Sequence, residues 1–263
     1  MNIYGIVMAI AIVGGVGLLI AVFLSIFGAK FKVEVNEKEE AVLAALPGNN
    51  CGGCGYPGCA GLAKAIAENE APVSGCPVGG APVAEAIGQI MGVKSGTLVR
   101  KVAFVKCSGT CDLAKNEYEY EGPKNCKMAS VAPGKGEKSC SYGCLGYGTC
   151  KSVCENDAIS IIGGIAYVNP DKCIGCQKCT KVCPKGLIEM VPFDAGSKVA
   201  CNSKDKGPAV MKACKAGCVG CGMCQKVCES DAIEVNDFLA HVDYEKCTDC
   251  GKCKEKCPKN VIV

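Results

Sequence analysis

The chain has no tryptophan, one histidine (His241) and only 5% aromatic residues. So few rings remove the stacking platforms that hold single-stranded nucleic acid. One histidine cannot build a His-rich copper or zinc site. A formal charge of +3 over 263 residues is too small for a strongly basic nucleic-acid binder. There is no P-loop, and nothing in the chain reads as a dinucleotide fingerprint. Gly163-Gly164 reads as a turn between strands. His241, in the strand-like stretch Phe238–Tyr244, reads as structural or exposed.

Charge is also missing from the whole of Met1–Ala29. About 20 apolar residues span a bilayer, so Ile3–Ala29 is long enough for a transmembrane helix. It lacks the basic n-region of a cleaved signal peptide. Lys30 and Lys32 follow it and no Lys or Arg precedes it, which places the rest of the chain in the cytoplasm. Gly14, Gly15 and Gly17 permit close packing against other membrane helices. A charged linker over 33–47 turns into a short helix, with Glu37, Glu39 and Glu40 in its early turns. Cys59, Leu62, Ala63, Ile66 and Ala67 share one helical face. A second helix is expected from Pro82 to Met91, and a strand over Leu98–Lys106. Pro133-Gly134-Lys135-Gly136 reads as a loop.

What the chain has in excess is cysteine: 25 residues. An odd count cannot pair completely within one chain, and runs of C-x2-C-x2-C suit thiolates converging on metal. Shifting the sequence by 74 residues superposes Cys140, Cys144, Cys150, Cys154, Cys173, Cys176, Cys179 and Cys183 on Cys214, Cys218, Cys224, Cys228, Cys247, Cys250, Cys253 and Cys257. Two copies of one module therefore lie in tandem. The half-motif C-x2-C-x2-C-x3-C-P stands complete at Cys173–Pro184 and at Cys247–Pro258. Its first three thiolates can hold one 4Fe–4S cluster, and the fourth serves the other cluster of the module. Each module thus resembles a bacterial two-cluster ferredoxin, which implies a βαββαβ fold with pseudo-twofold symmetry.

The second module is assigned directly: Cys218, Cys221, Cys224 and Cys257 for one cluster, Cys247, Cys250, Cys253 and Cys228 for the other. In the first, Cys173, Cys176, Cys179 and Cys154 form one set. Tyr147 stands where Cys221 would align, so Cys140 is expected to replace it beside Cys144, Cys150 and Cys183. A fifth set, Cys51, Cys54, Cys59 and Cys76, has the spacing C-x2-C-x4-C-x16-C. Its glycines let backbone N–H groups approach cluster sulfurs. Zinc is the alternative for C-x2-C pairs, but zinc does not need the crossed fourth cysteine before proline. Five bound clusters at about −2 each would take the formal +3 to about −7.

The apolar N-terminus, then CGGCGYPGCAGLAKAIA and GCPVGG, then the ferredoxin motifs, together resemble the B subunit of the Rnf complex, in its longer clostridial and acetogen form. The resemblance spans essentially the whole chain. It implies an α+β protein: a transmembrane anchor (1–29), a linker and small helical 4Fe–4S domain (30–92), a connecting segment (93–139), a first two-cluster module (140–192), a connector (193–217) and a second module (218–263). It implies five 4Fe–4S clusters in an electron-transfer subunit of an ion-translocating ferredoxin:NAD+ oxidoreductase in the bacterial plasma membrane. Soluble ferredoxin and the other Rnf subunits, membrane-embedded and flavin-bearing, would be its partners. NAD+ would be reduced elsewhere, and Na+ or H+ moved by the membrane subunits.

Cys107, Cys111, Cys126, Cys201 and Cys214 remain. Four of them could hold a sixth cluster, or they could be free thiols or a redox pair. Lys246, Lys252, Lys254, Lys256 and Lys259 crowd the last motif, as Lys172, Lys178, Lys181 and Lys185 do in the first module. Such a collar would steer an acidic ferredoxin to the C-terminal module. Competing readings are a freestanding membrane-anchored polyferredoxin and a zinc-stapled structural protein.

Overall fold

The computed structural model describes residues 3–30, 36–96 and 99–263. Met1, Asn2, residues 31–35 (including Lys32), Thr97 and Leu98 lie outside the described residues. Helix α1 runs Ile3–Lys30, and large apolar side chains such as Val13, Leu18, Leu19 and Leu24 are exposed along it. Among the described residues no helix is long and apolar enough to cross a membrane.

A small helical unit follows. Helix α2 (Glu37–Ala45) starts at Asn36, whose side chain accepts from the Lys38 N–H at 3.1 Å. Glu37, Glu39 and Glu40 occupy its first turn, where the helix dipole favours negative charge. Helix α3 (Gly58–Ala67) presents Leu62, Ala63 and Ile66 inward. Helix α4 (Gly80–Met91) stops at Gly92, which takes the left-handed conformation a C-terminal glycine permits. Val42, Leu62, Ile66 and Ile87 close the core between these helices.

In the first module, strand β1 (Lys101–Val105) is followed by α5 (Cys126–Ala129), α6 (Thr149–Ser152), β2 (Ile159–Ile162), β3 (Ile165–Val168), α7 (Lys178–Val182) and β4 (Ile188–Pro192). Strands β2 and β3 form a hairpin whose two-residue turn is Gly163-Gly164, both with positive φ. Strand β1 pairs antiparallel with β4, from Lys101 opposite Pro192 to Val105 opposite Ile188. The outer strand pair of the ferredoxin-like fold thus begins well before residue 140. The expected boundary fails because the first strand and its cluster loop are separated by an insert. Residues 106–139, read as part of the connecting segment 93–139, lie between β1 and the cluster loop of this module.

The second module repeats the plan with α8 (Gly207–Ala213), α9 (Met223–Lys226), the hairpin β5 (Ile233–Asn236) and β6 (Leu239–Val242), and α10 (Lys252–Glu255). Its outer pairing is a bridge between Val199 and Ile262, with Lys198 and Val263 exchanging both backbone hydrogen bonds. It therefore starts near residue 198, not 218. Backbone hydrogen bonds fasten the two modules together: Ser108 N–H to the Ala200 carbonyl, Lys115 N–H to Ala213, and Lys215 N–H to Leu113. The cores are Val102, Ile159, Leu187 and Val191 in the first module and Ile233, Leu239 and Val261 in the second.

Candidate metal centres: the cysteine cavities

Each module turns its cysteines inward from tight loops. Short helices α6, α7, α9 and α10 each follow a left-handed residue: Gly148, Gln177, Gly222 and Gly251. That sharp bend lets successive thiols of C-x2-C-x2-C face one point rather than spread along a helix.

Cys218, Cys221, Cys224 and Cys257 line one cavity of about 390 Å³. Cys154, Cys173, Cys176 and Cys179 line another of about 360 Å³. These are the sets expected from the crossed motif. Cys247 and Cys253 are electrostatic neighbours, and Cys250 is exposed. Backbone N–H groups point at the sulfurs throughout: Ala103 to Cys173 at 3.4 Å, Ala232 to Cys228 at 3.3 Å, Leu187 to Cys183 and Val261 to Cys257, both at 3.4 Å. Such donors stabilise sulfur-borne negative charge and raise a cluster's potential.

The Cys144 cavity departs from expectation. It measures about 400 Å³ and is lined by Cys126, Cys144, Cys150 and Cys183. Cys140 lines a different cavity. The insert supplies the missing thiol: α5 starts at Cys126, whose N–H donates to Thr149 Oγ1 at 3.0 Å, next to the cluster loop. Tyr147, in the place of Cys221, is held by the same insert, with Tyr120 at 5.8 Å between ring centroids and Lys124 Nζ 5.4 Å from its ring. Sequence proximity pointed to Cys140, whereas the fold delivers Cys126 from farther away.

The first cysteine group is the pole of the helical unit. Cys76 is buried beside Cys54 and Cys59, and accepts from the Gly79 N–H at 3.3 Å. Asn50 fixes the loop by accepting from the Cys59 N–H at 2.8 Å. Gly53, Gly55 and Gly58 spell G-x-G-x-x-G, but among the described residues no strand leads into them, and the loop presents cysteines rather than a phosphate cradle. It abuts the first module. A Cβ on Gly53 would stand 2.9 Å from the Cys176 carbonyl oxygen, and Lys181 Nζ donates to the Gly52 carbonyl at 3.4 Å.

Burial pushes the Cys150 and Cys179 thiols up to about 12, and Cys224 up to about 11. Buried thiolates need a positive partner, and ligated iron is one. Among the described residues no three His, Cys, Asp or Glu side chains close round a single metal ion. Thiolates on one zinc would lie roughly 3.8 Å apart, from Zn–S near 2.3 Å. A cubane keeps its four thiolates farther apart, one on each iron, and four cysteines lining one cavity fit that donor set.

Part of the basic collar is committed within the fold. Lys178 pairs with Glu155 at 2.5 Å, and its repeat-mate Lys252 pairs with Glu229. Lys246 pairs with Asp243 at 3.5 Å. Lys185 is partly buried and donates to the Ser141 carbonyl at 2.5 Å. Lys254 and Lys256 carry no ion pair among the described residues. His241 is exposed on β6, opposite Glu234.

Comparison with known proteins agrees with this geometry. A family model for an Fe-S cluster matches residues 46–78, and a 4Fe-4S dicluster domain matches 172–232 and 217–261. The B subunit of the Na(+)-translocating ferredoxin:NAD(+) oxidoreductase complex of Acetobacterium woodii is 46% identical over 259 residues, covering 98% of this chain and 77% of that protein. The B subunit of the ion-translocating oxidoreductase complex of Methanosarcina acetivorans is 41% identical, over 97% of this chain and 96% of that one. The proton-translocating counterpart from Clostridium ljungdahlii is 39% identical, over 98% and 92%. With its cysteine sets in place and relatives matching nearly end to end, the chain belongs to the B-subunit family of ion-translocating oxidoreductase (Rnf) complexes.

Proposed function

We propose that this chain is the iron–sulfur electron-transfer subunit of an Rnf-type complex, accepting electrons from reduced ferredoxin on their way to NAD+. The observation that carries this is the run of cysteine sets, spaced along one protein and supplied with N–H donors to sulfur. Bound 4Fe–4S clusters supply one-electron reduction and oxidation there. The protein holds them and sets their spacing. Five sets follow: Cys51, Cys54, Cys59 and Cys76; Cys126, Cys144, Cys150 and Cys183; Cys154, Cys173, Cys176 and Cys179; Cys218, Cys221, Cys224 and Cys257; and Cys228, Cys247, Cys250 and Cys253.

The helical unit's set adjoins the Cys176 loop, since Gly53 packs against it. Cys221 and Cys250 are exposed, both in the second module. This polarity favours electron input at the C-terminal module and output toward the N-terminal unit. Helix α1 is the membrane anchor in this reading. It is about 42 Å long at 1.5 Å per residue, its sequence is charge-free before Lys30, and its described side chains are exposed. The cluster-bearing part would face the cytoplasm. NAD+ reduction and Na+ or H+ movement would belong to the flavin-bearing and membrane-embedded partners.

Stopped-flow reduction by ferredoxin under anaerobic conditions tests the docking side. The Lys254→Glu/Lys256→Glu variant should bind ferredoxin more slowly and lose much of the salt dependence of the on-rate. An unchanged rate and salt slope would move the docking site elsewhere. Failure of ferredoxin to bleach the visible absorbance at all would remove the electron-carrier reading.

A further inference from the structure

Another cavity, of about 460 Å³, is lined by Cys107, Cys140, Cys201 and Cys214. These cysteines come two from each module. Cys140 and Cys214 are repeat-mates at the 74-residue shift. Cys107 and Cys201 each follow the first strand of their module. The local hydrogen bonding repeats as well. The Cys144 N–H donates to Cys107 Sγ at 3.4 Å, and the Cys218 N–H donates to Cys201 Sγ at 3.3 Å. Cys140 accepts from the Tyr142 backbone as Cys214 does from Ala216. The cavity lies where the modules are stitched together, at the Ser108–Ala200 and Lys115–Ala213 hydrogen bonds. It shares its four-cysteine lining with the cavities of three of the five sites.

Charge points the same way. Lys138 lines this cavity and is only 5% exposed. Its ammonium donates to the Gly109 and Gly164 carbonyls at 3.0 and 3.1 Å. Both partners are neutral, and a buried ammonium without an anion is costly. An anionic group in the cavity would supply the missing counter-charge.

We infer that Cys107, Cys140, Cys201 and Cys214 hold a sixth 4Fe–4S cluster across the module interface, with Lys138 as the positioned cation that raises its potential. This rests on the reading of the other cysteine sets as cluster sites. The sixth site lies between the Cys144 and Cys218 sets, since Cys107 touches the Cys144 backbone and Cys201 that of Cys218. It joins the two modules' sites into one row. Twenty-four cysteines are then ligands, and Cys111, which is exposed, is the single thiol left over.

Anaerobic iron and sulfide analysis of the full-length protein should give about 24 of each per chain, and about 20 in the Cys201→Ser/Cys214→Ser variant, at four per cluster. Alkylation of the native protein should modify Cys111 alone. Lys138→Gln should keep about 24 irons and shift one midpoint in a redox titration to lower potential. A wild-type count near 20, with Cys107, Cys140, Cys201 and Cys214 alkylated on unfolding before the clusters are stripped, would overturn the sixth site. An unmoved set of midpoints in Lys138→Gln would overturn the role of the lysine. Zinc with little sulfide would instead sink the electron-carrier reading as a whole. The wild-type count and the lysine variant decide the matter even if the double-serine variant does not fold.

Discussion

The two modules solve one problem with different parts. In the second, Cys218, Cys221, Cys224 and Cys257 come from a single loop plus the crossed cysteine before Pro258. In the first, Tyr147 interrupts the loop and Cys126 reaches in from the insert between β1 and the cluster motif. The lesson is that a cubane needs four thiolates at the corners of a cavity, and the chain can bring the fourth from anywhere that geometry allows. The insert supplies the thiol, and Tyr120 and Lys124 pack on the tyrosine that displaced it.

The largest test of that comparison is Cys126→Ala. It should remove one cluster from the first module, about four irons, while Cys140→Ala leaves the Cys144 site loaded. Electron paramagnetic resonance with iron counts would show it, and the reverse pattern would restore the Cys140 assignment. Tyr147→Cys combined with Cys126→Ala should recover that cluster, because it rebuilds the second module's loop in the first. Next comes packing. Leu239 and Leu187 are almost wholly buried, in the second and first modules respectively. Truncating either to alanine should cost about 2–5 kcal/mol in denaturant unfolding, with losses confined to the clusters of the truncated module.

Proton linkage gives a smaller contrast. In metal-free protein the buried thiols of Cys150 and Cys179 are raised to about 12, and Cys224 to about 11. Raised acid groups hold protons in the folded state that the unfolded chain has already released. Their stabilisation is therefore complete below pH 9 and lost as pH rises through 11 to 12. A pH series of chelator-stripped protein should show the first module, with two thiols raised further, losing more stability than the second on the alkaline side. The smallest effect belongs to the equivalent surface pairs Lys178–Glu155 and Lys252–Glu229. Breaking either by substitution to glutamine should leave the unfolding midpoint within error, as exposed pairs usually do.

Much of this was legible in the residues. The 74-residue repeat, the crossed ligands and the hairpin at Gly163-Gly164 follow from spacing that iron imposes and from turn chemistry. The helical unit was legible through the period of Leu62, Ala63 and Ile66. What escaped was anything decided by long-range pairing. Strand β1 is five residues long and finds its partner β4 beyond several intervening elements, so no local pattern marks it as the start of the module. Cys107 and Cys201 are 94 residues apart (201 − 107), not 74. The insert that delivers Cys126 also breaks the register that would have revealed them as a pair.

Gly53 gives that architecture a rate. Tunnelling between redox centres falls roughly exponentially with the gap between them. The loop of the helical unit rests against the Cys176 carbonyl so closely that a methyl group at residue 53 would sit at 2.9 Å, inside ordinary van der Waals contact. Adding one carbon there would act as a wedge between donor and acceptor. The speed of a hop between clusters held by these two units would be set in part by a side chain that is not there.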